Sequence, residues 1–435
     1  MATSTTPGNS IFHFPFSIVA FIFNGQHRRS CYHPRPEVSR NAKIGFGDDD
    51  ASAKPWSGPL GSRVHWERWR PAGEFSSSSQ CNTPARRQRS RYALALTVAA
   101  VWFATLPTQA ADWYSPRATN APTRVVIVEN PKAVSDFQPD AAIVQNMINR
   151  GLTSLTRKAT IAEAWRSLVS TRDVVGIKVC SEPGEISGTR PAVVAAVIHG
   201  LLDAGVSADH IVIWDKHADD LRAAGFSRLA AQLGVRAAGA ADAGYDPANF
   251  YNPDTATIGA LVWGDFEFGK KGEGVGRKSF VSELASRDLT KIISVAPLLN
   301  DNVTGVCGHL YSLAMAGVDN TMRFEGDPGR LAVAVPEIYA LPALGDRVVL
   351  NITDALIGQY EGGERGLLHY SSVPDQLWFS RDPVALDTMA VRELDRERRA
   401  ANAPEFTPHL EIYTNAVLLQ LGVSDPAKIQ VEKIQ

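Results

Sequence analysis

The sequence predicts an α/β fold: a mostly parallel sheet with helices on both faces, in a single main domain with a loop-rich insertion. Three observations carry that reading. From residue 123 onward, short β-rich apolar runs alternate with helical stretches of about 10 to 17 residues, the spacing of right-handed βαβ crossovers. Helix boundaries are marked by local chemistry, as where Pro191 opens a helix and Gly205 stops it. Hydrophobic residues make up 44% and charged residues 21% of the 435, enough apolar material for a sizeable core.

Taken in order, "TRVVIVEN" (123–130) reads as a strand, and "PDAAIVQNMINRGLTSL" (139–155) and "TIAEAWRSLVS" (160–170) as helices. "DVVGIKVC" (173–180) is the next strand, "TRPAVVAAVIHGLLDAG" (189–205) a helix, and "DHIVIWDK" (209–216) a strand. A helical "ADDLRAAGFSRLAAQLG" (218–234) leads into a loop-rich middle over 239–288. Then follow the strand "TKIISVAPL" (290–298), a helical region at "YALPALG" (339–345) and the strand "DRVVLNITDAL" (346–356). Helices in "DPVALDTMAVRELDRERRA" (382–400) and "PHLEIYTNAVLLQLG" (408–422) close a domain expected to span 123–425.

The N-terminal quarter has a different character. Residues 1–85 lack sustained periodicity and are broken by "GDDDASAKPWSGPLG" and "FSSSSQ", so they read as disordered or as untranslated. Residues 86–110 have the layout of a secretory signal. Arg86, Arg87, Arg89 and Arg91 precede an uncharged run from Tyr92 to Leu106, and Pro107, Thr108 and Ala110 supply the break and the small residues of a cleavage site. An exported mature chain beginning near Ala111, periplasmic or extracellular, is the expectation. The alternative is an uncleaved signal anchor, although the run is shorter than the roughly 20 residues of a membrane span, and no stable span is expected in the mature chain. Arg86 and Arg87 also raise twin-arginine export, against which Arg89 and Ser90 stand where apolar residues are preferred. No methionine lies between Met1 and Met147, so a start just before the signal would need a non-AUG codon.

Residues 1–110 hold 13 Lys and Arg against 6 Asp and Glu, which leaves 31 basic and 40 acidic residues beyond them, a formal charge near −9. An acidic body argues against a nucleic-acid partner. Its two cysteines, Cys180 and Cys307, are separated by 127 positions; they can pair, ligate a metal or stay as buried thiols, and the expectation is that they are not disulfide-bonded because each adjoins a buried strand with its own packing role.

In parallel sheets ligands bind outside the carboxyl ends of the strands. Polar residues gather there in "CSEPGE" (180–185), "DKHADD" (215–220), "NDN" (300–302) and "DAL" (354–356). Asp215 and His217 offer a carboxylate and an imidazole that can hold a cation or move a proton; alternatively Asp215 caps the following helix and His217 is solvated. Cys307 and His309, two positions apart, suit an extended segment, and with Asn300, Asp301 and Asn302 they form a candidate mixed metal shell without zinc-specific spacing. "GKKGEGVGRK" (269–278) and "EGGERG" (361–366) are either anion-binding or plain surface loops; neither is a P-loop. Asp382 precedes Pro383 at a helix start, a capping position, and Asp387 falls in the second turn.

From about Arg124 to Arg399 the chain resembles the family called domain of unknown function 362. The likeness rests on "VVGIKVCSEPG" followed by "TRPAVVAAVIHGLLDAGV", on "IISVAPLLNDNVTGV", on "ITDALIGQYEGG", and most specifically on "FSRDPVALDTMA", since Asp-Pro-Val-Ala-x-Asp is typical of that family. Where the family usually carries Lys-x-Lys-x-His, the matching places hold Leu298, Asn300 and Asn302; its Lys-Asn pair is replaced by Tyr311 and Ser312, and its asparagine by Cys180. Many relatives resemble iron-sulfur proteins through an attached ferredoxin-like segment; with two cysteines in the body, no iron-sulfur cluster is expected here.

Three functional expectations follow. One is an exported enzyme acting on a small anionic molecule, with Asp215, His217 and His309 as catalytic candidates and Lys178, Cys180, Asn300, Asn302, Asp354, Asp382 and Asp387 as ligand-binding ones, Lys178 being the cation for the anion. Another is a periplasmic or surface protein that binds a small ligand or metal in the same pocket without turnover. A structural relic of the family with no small ligand is a third.

Overall fold

The computed structural model describes residues 122–252, 278–363, 365–404 and 407–435. The expected extension, the signal segment and nearly all of the glycine-rich run 269–278 lie outside the described residues.

The chain enters a strand, β1 (Thr123–Glu129), and a small hairpin, β2 (Val134–Ser135) with β3 (Gln138–Pro139). Helix α1 (Ala141–Thr156) follows, its first N–H groups held by the Asp140 carboxylate at 2.9 Å. Helix α2 (Ile161–Arg166) opens with a capping box between Thr160 and Glu163. Then come β4 (Val175–Val179), α3 (Pro191–Asp203), β5 (Ile211–Asp215), α4 (Ala218–Ala223), α5 (Phe226–Leu233) and β6 (Arg236–Gly239). The single long helix expected over 218–234 is two, because Gly225 adopts φ +80°, a left-handed conformation that ends one and starts the next.

The loop-rich middle contains an antiparallel pair of strands, β7 (Tyr245–Tyr251) and β8 (Ser279–Ser282). Beyond it lie β9 (Lys291–Leu299), α6 (His309–Gly317), α7 (Pro328–Tyr339), β10 (Val348–Gln359), β11 (Ser371–Ser372), β12 (Gln376–Ser380), α8 (Pro383–Ala400), α9 (Glu411–Leu418) and β13 (Ile429–Ile434). Two helices differ from expectation. The one sought at 339–345 lies earlier, as α7, and α6 begins at His309, inside a stretch that reads as loop. Strand β13 also carries the domain past the expected boundary at 425.

Nine strands form one sheet in the order β13-β1-β12-β10-β9-β4-β5-β6, with β11 beside β10. It is mostly parallel: β13 with β1, and β10, β9, β4, β5 and β6 among themselves, while β12 runs antiparallel between β1 and β10. Alternate residues of each strand face two separate cores. One holds Val126, Ile177, Ile213 and Val295 against Met147, Trp165 and Ile198 of α1, α2 and α3. The other holds Ile127, Trp214, Ile292 and Trp378 against Leu313, Val335, Leu394 and Tyr413 of α6, α7, α8 and α9. Burying each of the larger apolar side chains contributes about 1.5–3 kcal/mol, so two cores of this size dominate the stability. Among the described residues no helix is long and apolar enough to cross a membrane.

Candidate functional site

The carboxyl ends of β9, β4 and β5 lie side by side, and the connections leaving two of them diverge. After β4 the chain packs α3 on one face and moves outward to β5; after β9 it packs α6 and α7 on the other face and moves the opposite way to β10. The β4/β9 boundary is therefore a topological switch point, where a parallel sheet leaves a crevice between diverging loops. Cys180 and Ser181 follow β4 there, and Asn300 and Cys307 follow β9.

Lys178 and Asp215 are the electrostatic centre. The lysine is buried on β4, with its Nζ 2.8 Å from Asp215 Oδ1 and 2.8 Å from Ser312 Oγ, and it also donates to the Val179 carbonyl. Asp215 Oδ2 accepts the Ser181 N–H and hydroxyl, each at 2.7 Å, and Oδ1 accepts the Lys216 N–H at 2.8 Å. Removal from water is tolerable for both charges because each is matched and hydrogen-bonded. Two expectations are corrected by this geometry. Lys178 does not stand ready as a cation for an anionic ligand, since its charge is neutralised by Asp215. Nor does Asp215 cap the following helix, whose Ala218 N–H is taken by Asp242 at 3.1 Å.

His217 is exposed at the N-cap of α4 and makes no side-chain cap bond. Around it lies an acidic rim. Burial raises the Glu182 carboxyl above its ordinary value, with Asp220, Asp215 and Glu325 adding repulsion and His217 opposing them. Asp220 is likewise raised, by burial first, with His217 again pulling down and Asp215 and Asp219 pushing up.

His309 faces inward. It is 1% exposed, its Nδ1 lies 2.8 Å from Ser294 Oγ and its Nε2 3.1 Å from Thr353 Oγ1, and its backbone N–H donates to Asp387 Oδ1. Burial, helped by Lys178, lowers its pKa to about 3, so the ring is neutral. Cys307 turns away from it toward Cys180, and Asp301 caps its own loop through Val303 and Thr304. The expected mixed metal shell therefore has no common focus, and among the described residues no group of three or more His, Cys, Asp or Glu is placed to hold a metal ion.

Asn300 is buried and Asn302 exposed, with Asn300 Nδ2 donating to Asn302 Oδ1 at 3.1 Å. Asn300 Oδ1 accepts the Gly363 N–H at 3.1 Å, and Gln359 Nε2 donates to the Gly363 and Arg365 carbonyls. Together Asn300 and Gln359 hold Gly363 and Arg365 beside the end of β9.

Three predicted residues serve the architecture. Asp354 is not past a strand end, because β10 runs on to Gln359; it is wholly buried, paired to Arg190 Nη1 at 3.1 Å, and accepts the Arg190 N–H at 2.9 Å. Asp387 receives the N–H groups of His309 and Leu310 at 2.7 and 2.9 Å. Asp382 lies at the opposite, amino edge, where β12 ends: it caps α8 through the Ala385 N–H and accepts from Thr123 Oγ1 and the Val423 N–H. A cleft of about 1130 Å³ opens at that edge, lined by Thr123, Leu155, Val348, Asp382, Leu421 and Lys428 among others. It is remote from the strand ends that carry the polar cluster, and the Asp382 carboxylate in it is already used by three donors.

Sequence reasoning passed over Ser181, Ser312, Arg190, Glu182 and Asp220. Ser181, Glu182 and Asp220 stand inside the strand-end motifs already quoted, and Ser312 follows the polar run after β9. Arg190 carried no signal beyond preceding a helix-opening proline.

No protein-family model matches the chain, and no curated protein matches it. Among solved structures, the crystal structure of a Thermotoga maritima protein, a structural genomics target, aligns with a TM-score of 0.35 at 9% identity, covering 62% of this chain. The chain spans 61% of that protein's length, and a likeness of this size carries no functional argument.

Proposed function

We propose that this is an exported small-ligand-binding protein, a divergent relative of the domain of unknown function 362 family, that takes its ligand in the crevice between β4 and β9. One observation carries the reading: polar groups of three adjacent strand ends meet at the topological switch point, where loops diverge and a parallel sheet offers room. Binding without turnover is favoured because the catalytic candidates Asp215 and His309 are already engaged on every polar atom of their side chains. The carboxylates of Glu182 and Asp220 on the rim favour a ligand with a cationic group, which would relieve their mutual repulsion. The test is native mass spectrometry and elemental analysis of protein purified from its source, followed by thermal-shift titration with small amines and divalent cations. A stabilising ligand whose effect is weakened in Asp220→Asn is expected. Absence of any bound mass together with no thermal shift would overturn the reading. Export is tested separately: the mature N-terminus should lie near Ala111, and an intact residue 1–85 segment in a cytoplasmic fraction would remove it.

An enzyme acting on a small anionic molecule is the second reading. It is favoured by the Ser312 hydroxyl lying 2.8 Å from the Lys178 ammonium, where an anion that drew the ammonium from Asp215 would meet a hydroxyl nucleophile. Turnover lost in Ser312→Ala with binding retained would select it.

A further inference from the structure

The Cys180 and Cys307 sulfurs lie 3.4 Å apart, and neither is in a disulfide. This corrects the premise that separate packing roles hold them apart. The contact brings together elements 127 positions distant, one leaving β4 and the other leading into α6, on either side of the β4/β9 boundary. Each backbone is pinned. The Cys180 N–H donates to Thr189 Oγ1 and its carbonyl accepts the Thr189 N–H, both at 2.9 Å, while the Cys307 N–H donates to the Leu299 carbonyl at 2.9 Å. A disulfide needs the sulfurs at about 2.05 Å, so they must close by roughly 1.4 Å, a distance within reach of small side-chain rotations. Leu299 and Tyr311 pack around the pair.

We propose that Cys180 and Cys307 are a redox-active dithiol that is oxidised by external disulfides. Cys180 is 7% exposed and Cys307 2%, so Cys180 is the sulfur that an incoming disulfide meets. Its thiolate attacks one sulfur of RS–SR, forming a mixed disulfide and expelling one RS⁻. The Cys307 thiolate then attacks the Cys180 sulfur, forming the internal bond and expelling the second RS⁻. The two thiol protons leave with the two RSH products, the protein loses two electrons and the external disulfide gains them. Burial limits access to the sulfurs and slows the exchange, which confines it to oxidants small enough to reach them. The closed bond would tie the β4 loop to the β9 loop. The inference rests on the two sulfurs and their fixed backbones, and holds whether or not a ligand occupies the crevice.

The test is incubation of the full chain with oxidised glutathione, acid quench, alkylation, and a non-reducing peptide map. A peptide pair linking Cys180 to Cys307, with the mass lowered by two hydrogens and a melting temperature raised by roughly 5 °C, is expected. Cys307→Ser should halt at glutathione on Cys180, whereas Cys180→Ser should leave Cys307 largely alkylatable. Recovery of both cysteines fully alkylated from the wild-type chain, or their linkage to Cys31 or Cys81 instead of to each other, overturns the proposal. The wild-type map decides the matter even if a variant fails to fold.

Discussion

Asp387 of α8 caps a helix other than its own: its two carboxylate oxygens receive the N–H groups of His309 and Leu310, the first residues of α6. Burial drives the two members of this contact in opposite senses. Asp387 is raised to about 7 despite its N–H donors, and His309 is lowered to about 3.

Opposed pH slopes follow. A carboxyl raised from 3.8 to about 7 contributes stability that is complete below about pH 4 and is lost as pH rises toward 7. A histidine lowered from 6.5 to about 3 contributes stability that is complete above about pH 6.5 and is lost as pH falls toward 3. Between about pH 4 and 6.5 the two offset one another. Urea denaturation across that window should show Asp387→Asn gaining stability with rising pH relative to wild type and His309→Gln losing it, by up to about 1.4 kcal/mol per pH unit. Slopes identical to wild type in both variants would refute the pairing.

Lys178→Met should cost about 3–5 kcal/mol, because Asp215 would remain buried with its charge unmatched. Lys178→Met combined with Asp215→Leu should recover most of that loss, and a double variant no more stable than the single would show that the pair is not coupled.

Gly308→Ala should destabilise the α6 start. An added Cβ would sit 2.2 Å from Asp387 Oδ1, inside contact distance, forcing the carboxylate off the N–H groups it holds. A loss of about 1–3 kcal/mol in chemical denaturation is expected; an unchanged midpoint would mean that the carboxylate can move freely.

Asn302→Ala and His309→Ala should part company. Asn302 is exposed, so its loss should leave the melting temperature nearly unchanged. Removing the His309 ring leaves the buried hydroxyls of Ser294 and Thr353 short of a partner and should cost on the order of 1–3 kcal/mol. Equal effects would place the two residues in the same environment.

The parallel part of the sheet was legible because β4, β5 and β9 are short apolar runs between helices, and periodicity reports that pattern well. Strands β12 and β13 were missed for a shared reason: "QLWFS" and "IQVEKI" are short, follow loops or helices rather than crossovers, and each pairs with β1, hundreds of positions away. The strand ends were legible as a meeting place, but the roles within it were not. Asp382 and Asp387 stand five positions apart on one motif, yet the motif's helix carries one to the amino edge and the other under α6, and only the packing of α8 tells them apart. The Cys180–Cys307 contact had no sequence signature, since sulfurs brought together by strand order leave no spacing rule.

The first strand of the body pairs on both flanks with strands from its final sixty residues: β1 lies between β12 and β13. During synthesis β1 therefore waits for its sheet neighbours until β12 and β13 have left the ribosome. Arg124 cannot reach Glu432 before then, nor can Thr123 reach Asp382. Assembly is in this sense late: until β12 and β13 have been made, a nascent chain stays incompletely folded and open to chaperones. Loss of β12 and β13 would thus be felt at β1, far away in the sequence.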